Sequence, residues 1–199
     1  MKALLHICCS VCALGAFRQL RDEGWKVRGY FFNPNIHPLI EFRRRKKSVK
    51  VLQEHIPLPV EYDEEYGLWD FLREVDHESG QKRCLECYRL RMEHTARKAA
   101  ELEADAFTST LLTSYRQDQD GLKRIGQECG DRHGVDFLFR DWEGLSEENR
   151  DEARELGLYR QQYCGCIFSE KERHLNTTKH IYKGSGPSSG EARWSDDVT

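Results

Sequence analysis

Short apolar runs separated by longer stretches of helical periodicity are the feature that most restricts how this chain can fold. Residues 2–9 read as a buried strand, and Ser10 to Glu23 as a helix with Ser10 at its N-cap. Lys26 to Phe32 is a second strand, stopped by Asn33-Pro34. Leu39 to His55 is a helix, because Leu39, Phe42, Val49, Leu52 and Ile56 recur at helical spacing. Leu58 to Tyr62 is a third strand and Trp69 to Val75 a short helix. A longer helix covers Cys87 to Glu103, with Tyr88, Met92, Ala96, Ala99 and Leu102 inward. Phe107 to Leu112 and Phe137 to Arg140 are the fourth and fifth strands, on either side of a helix over about Gly121 to Cys129. Two helical stretches follow, near Glu147 to Glu155 and Phe168 to Leu175. From Gly184 the chain is rich in Gly, Ser, Pro and charge, which predicts a disordered polar tail over 184–199 and one catalytic domain over 1–183.

Strands that alternate with helices predict an α/β fold of the Rossmann-like, nucleotide-hydrolase-like kind, with a mainly parallel sheet and flanking helices. Such sheets place their sites at the carboxyl ends of the strands, near a switch in strand order. Cys8 and Cys9 close the first strand, so a metal site is expected there. Neither Gly-x-Gly-x-x-Gly nor a Walker A loop occurs; Cys8-Cys9-Ser10-Val11-Cys12 stands where a nucleotide binder would carry glycines.

Six of the eight cysteines fall in tight clusters: Cys8-Cys9 with Cys12, Cys84 with Cys87, and Cys164 with Cys166. The N-terminus carries one charge and an apolar stretch too short for a signal core or a membrane span. The chain therefore reads as cytoplasmic, with no membrane partner. In a reducing compartment, clustered thiols indicate metal or redox chemistry rather than a disulfide framework. Cys8, Cys9, Cys84 and Cys87 suit a [4Fe–4S] cluster or a tetrahedral zinc, and spacing alone leaves both open. Cys12, one helical turn beyond Cys9, is either a packing residue or a further metal ligand. The isolated Cys129 reads as structural. A Cys164-Gly165-Cys166 disulfide would close a small strained ring, which favours a redox pair over a metal knuckle.

Net charge is −3, so nucleic-acid contact requires a local patch. The run Arg43, Arg44, Arg45, Lys46, Lys47 and Lys50 forms one helix face, either solvated surface or a phosphate-tracking patch. Tyr30 to Pro38 is either a plain turn or a base-binding loop. Zinc-binding nucleic-acid modules and general thiol–disulfide oxidoreductases are the competing classes; no Trp-Cys-Gly-Pro-Cys stretch supports the second.

Five segments are together similar to one known family. They are His6-Ile7-Cys8-Cys9-Ser10-Val11-Cys12, Phe32-Asn33-Pro34-Asn35-Ile36-His37-Pro38, Arg83-Cys84-Leu85-Glu86-Cys87-Tyr88-Arg89-Leu90-Arg91, Phe107-Thr108-Ser109-Thr110-Leu111-Leu112, and Tyr159-Arg160-Gln161-Gln162-Tyr163-Cys164-Gly165-Cys166-Ile167-Phe168-Ser169. In this order, over about residues 3–175, the chain resembles the QueH family of cobalamin-independent epoxyqueuosine reductases. The resemblance implies deoxygenation of epoxyqueuosine to queuosine at the wobble position of tRNA with a GUN anticodon, the last step of queuosine synthesis. It implies that Cys8, Cys9, Cys84 and Cys87 ligate a [4Fe–4S] cluster. Cys164 and Cys166 would be a redox-active disulfide pair reset by an external electron donor. Cys12 would face an additional mononuclear iron. Asn33, His37, Arg44 and Lys47 are the substrate-binding candidates, and Asn33, His37 and Glu41 are candidate proton donors by position. Ser10-Val11 departs from the family's usual Ala-Pro, which implies a changed turn rather than lost function.

Overall fold

The computed structural model describes residues 1–76 and 80–177. Five strands form one sheet: β1 (Lys2–His6), β2 (Lys26–Phe31), β3 (Val60–Tyr62), β4 (Ala106–Ser109) and β5 (Asp136–Phe137). Their order is β3-β2-β1-β4-β5, and every pairing is parallel. The helices are α1 (Ser10–Asp22), α2 (Leu39–His55), α3 (Leu68–Glu74), α4 (Gly80–Glu101), α5 (Gln119–His133), α6 (Leu145–Glu148), α7 (Arg150–Glu155) and α8 (Ile167–His174). The expected Rossmann-like architecture is present. Parallel strands are covered on both faces, and Leu4, Leu5, Phe31 and Phe107 are buried accordingly. The expected tail from Gly184 lies outside the described residues. Among the described residues, no helix is long and apolar enough to cross a membrane.

The chain builds outward from β1 to β3, then returns to place β4 on the other side of β1. The switch in strand order therefore lies between the carboxyl ends of β1 and β4, where a ligand crevice is expected.

Several boundaries differ from the sequence reading. β1 ends at His6 instead of Cys9, because Cys9 adopts the extended N-cap conformation of α1. Cys9 Sγ accepts the Cys12 N–H at 3.4 Å, so Cys9 is the cap and Ser10 the first helical residue. Ser10 Oγ instead pairs with Ser48 Oγ at 2.6 Å, tying α1 to α2. β4 stops at Ser109, whose Oγ accepts the Leu111 N–H at 3.1 Å and turns the chain into a 3-10 turn over Thr110–Thr113. α4 begins upstream of Cys84, so Cys84-x-x-Cys87 lies within the helix rather than at the predicted start at Cys87. β5 is a two-residue edge strand, and Arg140 leaves it to pair with Glu23 at 2.8 Å.

α5 lies close against the sheet edge at two glycines. A Cβ on Gly126 would stand 2.4 Å from the Phe137 ring, and one on Gly130 2.5 Å from the Val135 carbonyl oxygen. Gly126→Val should therefore destabilise the fold by about 1–3 kcal/mol through overpacking. Urea unfolding checks this, and a loss no greater than that of a surface substitution would refute the close approach.

Candidate functional site

The turn after β1 gathers the first thiols. The Sγ atoms of Cys8, Cys9 and Cys12 all lie within 4.8 Å of one another, and all three residues are buried. Thiolates around one tetrahedral ion stand about 3.8 Å apart, so this group can hold a metal. The 3-10 turn beyond β4 supports it: Thr110 Oγ1 accepts the Cys8 N–H at 3.0 Å and donates to Cys8 Sγ at 3.2 Å. Gln161 Nε2 donates to Cys9 Sγ at 3.2 Å. Hydrogen bonds from Cys12 and Cys9 hold the Cys8 thiol well below its ordinary range. The converse holds for the donors: bonds with Cys12 and Cys8 hold Cys9 well above that range, and the bond with Cys8 pushes Cys12 up to about 12. Three soft sulfurs grouped this closely are an arrangement suited to a cation.

Cys84 and Cys87 lie one turn apart on α4 and face a cavity of about 630 Å³. Cys12, Cys164 and Cys166 line the same cavity, whereas Cys8 and Cys9 are not in its lining. Burial raises Cys84 and pushes Cys87 up to about 12. Cys87 and Cys166 also share a small apolar cluster with Phe71 and Val75. The fold therefore brings together cysteines from three distant parts of the chain. All eight cysteines are free thiols, with Cys164 exposed and Cys166 buried. Burial also raises Cys166, which stands at the N-cap of α8.

A buried guanidinium holds the segment that carries Cys164. Arg45 is 1% exposed and donates from Nη1 to the Cys164 carbonyl and from Nη2 to the Tyr163 carbonyl, each at 2.9 Å. Its Nε donates to Glu41 Oε1 at 2.7 Å, and Tyr159 OH donates to Glu41 Oε2 at 2.7 Å. From the Asn33–Pro38 loop, the His37 N–H donates to the Gly165 carbonyl at 2.8 Å, and the His37 carbonyl accepts from Tyr163 OH. Gly165 has φ +122, and a Cβ there would stand 2.9 Å from Ile36 Cγ1, so glycine is required on two grounds.

The basic run of α2 consequently divides. Arg43, Arg44, Lys47 and Lys50 are exposed as expected, but Arg45 points inward and is no part of a surface patch. Lys46 pairs with Glu64. Asn33 and His37 are buried and absent from the cavity lining. Asn33 Nδ2 donates to the Ile7 carbonyl at 2.8 Å. The His37 ring packs on Phe71 and Tyr66, and burial lowers its pKa to about 4, so it is neutral at pH 7. Cys129 is buried, in keeping with a structural role.

Sequence reasoning missed Arg45, Thr110, Gln161 and Arg91. Arg91 lines the cysteine cavity, is 3% exposed, and among the described residues has no hydrogen-bond partner for Nε or Nη1. The mouth of the cavity carries exposed Tyr115, with the Arg116 guanidinium 5.1 Å from its ring centroid. A lone arginine in a basic run gives no local sign of facing inward; only its i, i+4 spacing from Glu41 hinted at a pair.

Arg45→Met should destabilise the protein by about 3–5 kcal/mol, because it leaves Glu41 buried without its partner. Arg45→Lys keeps the charge without the planar fork and should fall between. Urea unfolding measures both, and a loss below about 1 kcal/mol for the methionine variant would mean the pair is no stronger than a surface bridge.

The family model described as epoxyqueuosine reductase QueH matches residues 3–172. The epoxyqueuosine reductase QueH of Thermotoga maritima is 35% identical over 179 residues, which cover 85% of this chain and 91% of that protein. The Dehalococcoides mccartyi protein of the same name is 31% identical over 172 residues, covering 86% and 94%. The Helicobacter pylori protein is 39% identical over 181 residues, 84% of this chain but 49% of that longer relative. With its cysteine-bearing segments inside the matched region, the chain belongs to the QueH family of epoxyqueuosine reductases.

Proposed function

We propose that this protein reduces epoxyqueuosine to queuosine in the anticodon loop of a tRNA with a GUN anticodon, as its family's name implies. The observation that carries the reading is the convergence of Cys12, Cys84, Cys87, Cys164 and Cys166 on one cavity within a chain of this family. On this reading, Cys8, Cys9, Cys84 and Cys87 would hold a [4Fe–4S] cluster, and Cys12 would face an additional mononuclear iron. The donor set fits: the ligands are soft sulfurs, and the cavity wall carries a buried arginine with unpaired N–H groups. When bound, such a centre supplies one-electron transfer and Lewis acidity.

The protein's own residues supply the remaining chemistry. Deoxygenating an epoxide to an alkene takes two electrons and two protons and releases water. The Cys164 and Cys166 thiols can provide both as they join in a disulfide, which an external reductant then resets. Arg45 and the Asn33–Pro38 loop hold that dithiol segment against the cavity. A wobble nucleotide in an anticodon loop is largely unpaired, so turning it into the cavity costs less than flipping from a duplex. Arg44 and Lys47 on the exposed side of α2 would contact the RNA backbone.

The close grouping of Cys8, Cys9 and Cys12 favours a second allocation, in which these three hold a single ion and no cluster forms. Metal analysis separates the two. Anaerobically purified protein should be brown and contain about four irons and four sulfides per chain, with any additional iron above that. A colourless protein with one zinc and no sulfide would end the cluster reading. Cys164→Ser and Cys166→Ser should keep the chromophore and abolish multiple turnover on tRNA carrying epoxyqueuosine; bleaching would make the pair ligands instead. Reversing the charge at Arg44 and Lys47 should weaken tRNA binding and flatten the log–log salt dependence by roughly one unit per lost phosphate contact. An unchanged slope would return this face to ordinary solvated surface.

A further inference from the structure

The described part of the chain buries three arginines: Arg45, Arg83 and Arg91. Two of them have anionic partners. Arg45 pairs with Glu41 at 2.7 Å, and Arg83 with Glu172 at 2.5 Å. Arg91 is 3% exposed, its Nε and Nη1 meet no acceptor, and no carboxylate pairs with it among the described residues. A guanidinium is always protonated at physiological pH, so it cannot escape burial by losing its charge. An unpaired buried cation is strongly unfavourable, and arginine is almost never fully buried without a partner.

The position of Arg91 indicates what the partner is. It follows Cys87 by four residues on α4, so the two share one helix face. It lines the cavity together with Cys12, Cys84 and Cys87. Its charge acts on Cys84, Cys87, Tyr88 and His6. His6 offers no anion. It is buried, its Nε2–H donates to the Phe32 carbonyl at 3.0 Å, and its Nδ1 pairs with Ser109 Oγ at 2.8 Å. The two glutamates of the cavity lining are engaged elsewhere, Glu172 with Arg83 and Glu147 with Arg160, which leaves the thiols of Cys84 and Cys87 as the groups that could carry a charge opposite Arg91.

We propose that Arg91 is the fixed countercharge and hydrogen-bond donor of the anionic centre held at Cys84 and Cys87, and that it sets the centre's reduction potential. This rests on the cluster reading above. Net charge and hydrogen bonds to sulfur are principal determinants of iron–sulfur potentials. Reduction adds negative charge to the centre, so a fixed cation with donors free at Nε and Nη1 favours the reduced form and raises the potential. In the cluster-free protein the same cation is a liability. Arg91 thus acts in opposite directions on the loaded and the empty protein, which an ordinary packing residue does not.

The test uses full-length protein, reconstituted anaerobically, with iron and sulfide counted on the parent first. A parent that binds neither refutes the cluster reading itself, before Arg91 is varied. In a redox titration followed by electron paramagnetic resonance, Arg91→Met should shift the midpoint to lower potential. Arg91→Lys, which keeps the charge, should stay closer to the parent. In urea, cluster-free Arg91→Met should unfold at higher denaturant than the cluster-free parent. Loading of Arg91→Lys but not of Arg91→Met would also support the countercharge. Equal midpoints in parent and both variants at equal iron content would overturn the proposal. So would earlier unfolding of cluster-free Arg91→Met with no change in midpoint, which marks a structural residue. Weakened tRNA binding with an unchanged midpoint would reassign Arg91 to an RNA phosphate.

Discussion

The site depends on one buried interaction, the guanidinium of Arg45 held between Glu41 and the backbone of Tyr163 and Cys164. Cys164 and Cys166 lie far along the chain from the sheet that carries Cys8 and Cys9. The short C-terminal helices give this region little core of its own. What draws it onto α2 is a charge that cannot be left bare inside the protein: Glu41 neutralises it, and its remaining donors are answered by loop carbonyls. Tyr159, Ser48 and His37 add bonds to the same segment. The dithiol loop is thereby fixed by hydrogen bonds to backbone carbonyls, which specify position whatever side chains the loop carries.

A second constraint follows from the parallel sheet. The switch in strand order opens a crevice at the ends of β1 and β4, and the turns leaving those strands are built around it. Cys9 serves as both helix cap and thiol, and Thr110 both accepts from the Cys8 amide and donates to the Cys8 sulfur. In a nucleotide-binding relative of this architecture, glycines would let the backbone approach phosphates. Here sulfur occupies that place, and the grouping of Cys8, Cys9 and Cys12 can hold a metal ion.

The fold class was legible because alternating apolar runs and helical periodicity persist whatever the details of packing. The cysteine clusters were legible because their spacing is written directly in the sequence, whatever the packing. Boundaries were less so. β1 and β4 were read as too long, since Ile7, Cys8, Leu111 and Leu112 are as apolar as strand residues while the capping bonds of Cys9 and Ser109 turn the chain. Asn33 and His37 are substrate-binding candidates in an aromatic, amide-rich loop; what the sequence did not disclose is that both are buried and that the His37 backbone supports the Gly165 turn.

By itself the sequence determined the parallel α/β architecture, the clustering of the thiols along the chain and the family, all of which rest on local pattern and ordered motifs. Tertiary structure alone decided which thiols face one another, that Arg45 leaves the basic face to clamp the dithiol loop, and that Arg91 lies in the cysteine cavity with Nε and Nη1 unpaired among the described residues. The physical reason is that a side chain's burial and its charge partners depend on elements distant in sequence. Neither composition nor spacing records which of several neighbouring arginines the fold will turn inward.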